Sequence, residues 1–411
     1  MWAVRRSVGS TWGLNPSMVN WIYCAIVRPI VTYGALVWWN KTNQTSAIKH
    51  CNKLQRLACL LTTGAMKTTP TLSMEAILGI TPLHLHIQST AACSALRLKI
   101  TTLKDFQHSG HCGIVNKFSE CEIAVQCSDF ITNELRFDRK FEIAIPSLAT
   151  WMDDGPQIDS RSLKWFTDGS KTDHGVGCGV FGPNTELFEA MGKWPSVFQA
   201  EVHAITLCAR VNLEKGLAGA HIAIFSDSQA ALKALQSWTF KSRQVLECYE
   251  TLQKLSTRNK VTLYWVPGHK GIEGNEKADE LARKGSSTTM VGPEPFCGIG
   301  WSTVKSLIKD KEIRRRNVYW NCSDGLKQSK LLINPFSYKE ALSYSRYELR
   351  VLTGFLTGHF GLNYHLRKLA LSNTTICRLC LEDDETTLHV LYTKDHPASL
   401  ELAPISIIII L

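Results

Sequence analysis

The spacing of apolar and polar positions divides the chain into stretches of different period. Between 160 and 287 short runs alternate with longer ones. Leu163, Trp165 and Thr167 alternate with Lys164, Phe166 and Asp168, the period of a strand with one face in a core. Two further strand-like runs follow at 175–181 and 186–193. A helical period then covers 198–213, and a strand covers 221–227. Helices at 229–236 and 242–255, a strand at 260–266, a Gly-rich loop and a helix at 275–284 complete the stretch. Three consecutive strands, then strands separated by helices, predict an α/β domain with a mixed sheet, antiparallel on one side and parallel on the other.

The flanks read differently. Residues 13–105 have helical periodicity at 18–27, 46–61 and 71–78, with "NPS" and the Thr71-Leu-Ser run before Met74 as start signals. Residues 106–160 are polar and irregular and end in "DDGPQIDS", the composition of a linker; "WMDD" within it reads as an exposed turn. Beyond 290 the pattern is helical again, with a basic section, "KSLIKDKEIRRRNVYWN". The expected division is a helical segment at 1–110, a linker at 111–159, the α/β domain at 160–287 and a helical C-terminal region at 290–411.

A length of 411 residues fits this division into several domains. The formal net charge of +10 favours a polyanionic partner. Fourteen cysteines, scattered along the chain, read as reduced intracellular thiols, in nucleus or cytoplasm, rather than as a disulfide framework. The most apolar stretch, Trp21 to Trp39, is interrupted by Arg28 and Pro29, and the closing run from Ile405 is too short to cross a bilayer. No membrane association and no obligate protein partner are expected.

The chemistry concentrates in carboxylates. Asp168 and Asp227 each close an apolar strand, and ligands of open α/β sheets gather beyond such ends. Either one alone also reads as a turn or cap residue. Glu201 shares a helical stripe with Ile205 and Cys208, where an unpaired charge costs several kcal/mol. Asp279 lies at the edge of the helix face formed by Ala278, Leu281 and Ala282. Four acids on one sheet domain would repel one another without cations. All-oxygen ligands favour Mg²⁺ or Mn²⁺, and two such ions can drive in-line displacement at a phosphodiester.

In that order, "FTDGS", "QAEVHAI", "FSDSQAAL" and "WVPGHKGIEGNEKADELA" resemble the four signatures of the type 1 ribonuclease H family. The resemblance covers 160–287. It implies a three-layer fold with a five-stranded mixed sheet flanked by helices, and hydrolysis of the RNA strand of RNA–DNA hybrids with two divalent ions. It implies Asp168, Glu201, Asp227 and Asp279 as the metal-binding acids. It also implies His269, between Gly268 and Gly271, as a loop histidine that helps product leave or protons move. Ser170, Ser228, Gln229 and Asn275 stand beside the acids as candidate substrate contacts, with turn and cap roles as the other reading.

The N-terminal run "IVRPIVTYGALVWWN" and the helical segment after it resemble the region behind the polymerase palm of non-LTR retrotransposon polyproteins; no strand-framed catalytic aspartate pair accompanies it. Near the end Cys377, Cys380 and His389 resemble the Cys-Cys-His-Cys patch of the same polyproteins. The fourth cysteine is missing and His396 is poorly spaced to replace it, which argues against zinc. The expectation is therefore a retroelement-derived hybrid ribonuclease, the alternative being a catalytically silent nucleic-acid-binding remnant.

Overall fold

The computed structural model describes residues 1–9, 12–101, 127–153, 155–334 and 338–392, and the chain divides into two compact units. One comprises 95–307, the other 1–94 together with 308–411.

The unit of 95–307 is built on a six-stranded sheet. Its strands are β2 (Glu142–Ala144), β3 (Leu163–Lys171), β4 (Val176–Gly182), β5 (Thr185–Gly192), β6 (His221–Ser226) and β8 (Lys260–Trp265), in the order β2-β8-β6-β3-β4-β5. Strands β3, β4 and β5 form an antiparallel meander, while β3, β6, β8 and β2 run parallel. A separate antiparallel ribbon pairs β1 (Phe130–Leu135) with β7 (Thr239–Ser242). The five expected strands are all present and form the mixed sheet of an α/β fold. The sixth comes from β2 in the stretch expected to be linker. Its three residues are too few for a period to register, yet the neighbouring Phe141 is buried in the core.

Four helices cover the sheet: α1 (Val197–Glu214), α2 (Gln229–Gln236), α3 (Arg243–Leu255) and α4 (Glu273–Ser287). Their starts are written locally. Ser196 and Gln199 form a reciprocal capping box on α1, and the hydroxyls of Ser228 and Ser242 accept backbone N–H bonds at the heads of α2 and α3. The apolar stripe of α1, with Ala204, Ile205, Cys208 and Ala209, packs in one core with Trp165, Val180, Ile224 and Leu263. Burying each large side chain contributes roughly 1.5–3 kcal/mol. On the other face α4 lies unusually close to β4. A Cβ on Gly179 would fall 2.3 Å from the Ala278 carbonyl oxygen, so only glycine there lets the helix carrying Asp279 down onto the strand.

The second unit is helical. Helices Pro16–Ile22, Thr45–Thr63, Thr71–Ile77 and Arg346–Thr357 surround a core containing Tyr23, Cys59, Met74, Leu78, Trp320 and Leu349. The two flanks, read separately from the sequence, thus share one core, and Arg346 donates to the carbonyls of Leu14 and Leu61. Glu75 is buried in this unit, its carboxylate accepting from Gln55 Nε2, while Gln55 Oε1 accepts from Tyr23. No single helix among the described residues is long and apolar enough to cross a membrane; the bent pair Pro16–Thr32 and Ala35–Asn43 reaches that length and composition only jointly. None of the twelve described cysteines is in a disulfide.

Candidate active site

Register explains how two of the acids meet. Parallel pairing of β3 with β6 ends at Thr167 opposite Ser226, which leaves Asp168 and Asp227 side by side just beyond. β3 itself does not end at Asp168, as its pattern implied. It continues to Lys171 because β4 still offers partners there, Gly179 opposite Asp168 among them. Asp168 is therefore held on one side by the antiparallel ladder and open on the other.

Glu201 arrives from α1. Gly169 makes that approach possible, since a Cβ there would lie 2.5 Å from the Glu201 amide nitrogen and 2.9 Å from Ala200. Carboxylate oxygens of Asp168, Glu201 and Asp227 all lie within 4.8 Å of one another. Asp168 and Glu201 are each only 6% exposed, and the Glu201 Oε2 atom is buried with no hydrogen-bond partner. Asp279, from α4, stands beside this trio. Its Oδ2 is 2.7 Å from an Arg283 guanidinium nitrogen one helical turn on, and 4.0 Å from His269 Nδ1.

Crowding shows in the proton affinities. Burial raises the Asp168 carboxyl to about 8, and the charges of Asp227 and Asp279 add to the rise. Burial also pushes Glu201 well above the usual carboxylate range, with Asp168 and Asp227 raising it further. Asp227 is raised by burial too, against the opposing effects of a hydrogen bond from Asn275 and the nearby His269. Carboxylates this close cannot all ionise without positive charge among them. The all-oxygen donor set and the orphaned Glu201 oxygen fit a hard divalent cation.

The RNase H family model matches residues 160–287, the span that holds all four acids. Residues 160–287 form an RNase H domain. Among curated proteins, the ribonuclease H of Agrobacterium fabrum (strain C58) is 36% identical over 74 residues, covering 15% of this chain and 51% of that relative. The chain thus spans about half the length of this relative. Divalent metal ions are general in the RNase H family, and the trio of acids is a group in this domain that could hold one.

The other residues of the RNase H domain sort by burial. His269 stands in the loop after β8 with a positive φ of 54°, an uncommon conformation for a non-glycine residue, and its side chain is 76% exposed. Ser170 and Gln229 are half-buried near the acids, and Gln229 accepts a bond from Lys233. Ser228 spends its hydroxyl on the Ala231 amide as the cap of α2. Asn275, a candidate substrate contact by sequence, is buried and hydrogen-bonds to Asp227. Two participants were missed. Arg283 neutralises Asp279, a pairing its i+4 spacing on α4 could have revealed. Trp265 donates its indole N–H to the Asp227 carbonyl at 3.0 Å, which no local pattern announces.

In the helical unit the ligand atoms of Cys377, Cys380 and His389 also lie within 4.8 Å of one another, with Cys380 Sγ 3.2 Å from His389 Nε2. These three donors meet, and the fourth ligand whose lack argued against zinc is not among them; His396 lies outside the described residues. The basic section forms part of a helix, Trp301–Asn321, where Arg315 donates to Gln88 and Arg316 to the Gly79 carbonyl.

Proposed function

We propose that the RNase H domain is a hybrid ribonuclease, hydrolysing the RNA strand of RNA–DNA hybrids with two divalent cations, Mg²⁺ or Mn²⁺. The observation that carries this reading is the convergence of Asp168, Glu201 and Asp227, from two strands and a helix, within 4.8 Å around an unpartnered buried carboxylate oxygen. In this reading those three acids hold the cations and Asp279 completes the set, beside its ion pair with Arg283 or in exchange for it. When bound, the cations supply an activated water and charge stabilisation at the leaving oxygen. Asn275 keeps Asp227 oriented toward Asp168 and Glu201. His269, exposed and 4.0 Å from Asp279, would exchange protons at the departing oxygen or ease product away. Ser170 and Gln229 border the acids where the backbone of the cut strand would run. The order of segments, polymerase-tail-like then RNase H, supports descent from a retroelement polyprotein, with 1–110 and 290–411 as its flanking regions.

Incubating the purified chain with an end-labelled hybrid, with and without Mg²⁺, tests the proposal. Cleavage of RNA alone is expected, dependent on the cation and leaving 5′-phosphate and 3′-hydroxyl ends. It should be abolished in Asp168→Asn, which removes a ligand charge but little volume. Turnover without divalent cations, or unchanged turnover in that variant, would overturn the assignment. A folded chain that binds the hybrid and cuts nothing would identify a silent remnant.

A further inference from the structure

Beside the acids, on the face of β4 and β5 that α1 covers, the RNase H domain gathers a second donor group of different chemistry. Cys178 on β4 and Glu189 on β5 are register partners, so their side chains point to the same face of the sheet. His203 comes onto that face from α1, two residues after Glu201. A Cys178 sulfur, a Glu189 carboxylate oxygen and a His203 ring nitrogen all lie within 4.8 Å of one another. His203 Nε2 is 2.8 Å from Glu189 Oε2, and the imidazole makes a T-shaped contact with Phe296. Cys178 is fully buried, whereas the Glu189 side chain is 41% exposed, so the approach from solvent runs past the carboxylate.

We propose that Cys178, Glu189 and His203 bind a thiophilic divalent cation of the zinc class, which pins α1 to β4 and β5. Sulfur, imidazole and carboxylate together suit borderline-soft Zn²⁺ and its analogues Co²⁺ and Cd²⁺, not the hard Mg²⁺ that an all-oxygen site prefers. Three protein donors would leave a fourth tetrahedral position for water. At ordinary zinc bond lengths of roughly 2.0–2.3 Å, tetrahedral donors stand roughly 3.4 Å apart. The Glu189–His203 pair must then open by about half an ångström and the widest separation close by no more than about 1.4 Å, movements within side-chain reach. Burial holds Cys178 as a neutral thiol in the cation-free protein. Binding therefore breaks its S–H bond, releases the proton to solvent and forms a sulfur–metal bond, with no change of oxidation state. The site is independent of the hybrid-ribonuclease reading.

The probe is Co²⁺, because thiolate ligation gives a near-ultraviolet charge-transfer band that oxygen-only sites do not. The full chain carrying Cys377→Ser and Cys380→Ser removes the other thiol cluster. In that background, with excess Mg²⁺ to occupy the acid trio, the band should appear, saturate and be bleached by Zn²⁺. Adding Cys178→Ser should abolish it. Glu189→Gln, a change at a half-exposed position, should keep the fold by circular dichroism and weaken Co²⁺ binding by at least ~10-fold. A folded background protein without the band, or a band that survives Cys178→Ser, overturns the proposal. So does Co²⁺ affinity unchanged in Glu189→Gln.

Discussion

If the three carboxylates strain one another, removing one charge should stabilise the cation-free protein even as it destroys the site. Asp168→Asn is the sharpest case, since it preserves shape. The folded-state carboxyl is raised from 3.8 to about 8, so the folded chain keeps a proton that the unfolded chain has lost across that interval. Stability from this group is therefore complete below pH ~4 and falls as pH rises toward ~8. At about 1.36 kcal/mol per unit, the penalty at pH 7 is on the order of 4 kcal/mol if Asp168 carried it alone. Sharing among the trio leaves roughly 2–4 kcal/mol for one substitution to relieve. The readout is amide hydrogen exchange in β3 and β6, which isolates this domain from the helical unit, in EDTA between pH 5.5 and 8. The variant should be the more protected, by a margin that widens with pH. Adding Mg²⁺ should raise protection in the parent and do much less in Asp168→Asn. Equal protection at every pH, or a variant less protected at pH 8 without cation, would refute the reasoning.

Other perturbations follow from the same geometry. Gly169→Ala drives a methyl group against the Glu201 amide, 2.5 Å away, and should cost about 1–3 kcal/mol in urea unfolding and most of the hybrid-cleaving rate. His269→Ala, at an exposed loop position, should leave stability within about 0.5 kcal/mol and slow cleavage by less than Asp168→Asn does. A rate loss as large as that of the acid would make His269 indispensable to the chemistry. In the helical unit, burial raises Glu75 to about 8, so that unit should lose stability as pH rises from ~4.5 through ~8. Glu75→Gln should flatten that dependence in thermal unfolding, and a slope that persists would place its origin elsewhere.

The elements of the RNase H domain were legible because each announces itself locally. The alternation from Leu163, the stripe from Glu201 to Cys208 and the serine caps at 196, 228 and 242 act over a few residues, and structure and pattern agree there. What failed were features that depend on a distant partner. β3 runs past Asp168 because β4 pairs with it, and β2 exists because the edge of β8 is free to receive it. Likewise the flanks share one core through contacts such as Ser73 with Ser329, a pairing no periodicity can signal.

The site was legible for a related reason and partly obscured by the same one. Acids at strand ends and on an apolar stripe violate local rules, and such violations persist where tertiary structure or a ligand compensates them. Asp168, Glu201 and Asp227 stood out on that ground and do converge. Asn275 shows what sequence leaves open, because polarity in a motif does not say which way a side chain faces; it is buried and bonds to Asp227. Asp279 shows the limit most clearly. Its position on α4 brings it to the trio's edge, yet Arg283 from the same helix holds it at 2.7 Å. A carboxylate paired on its own helix joins a cation by sharing its charge with that partner or by exchanging one positive partner for the other. Of the four acids, Asp279 is accordingly the one whose contribution depends on what occupies the site, whereas the other three are gathered by the sheet and α1 before anything binds.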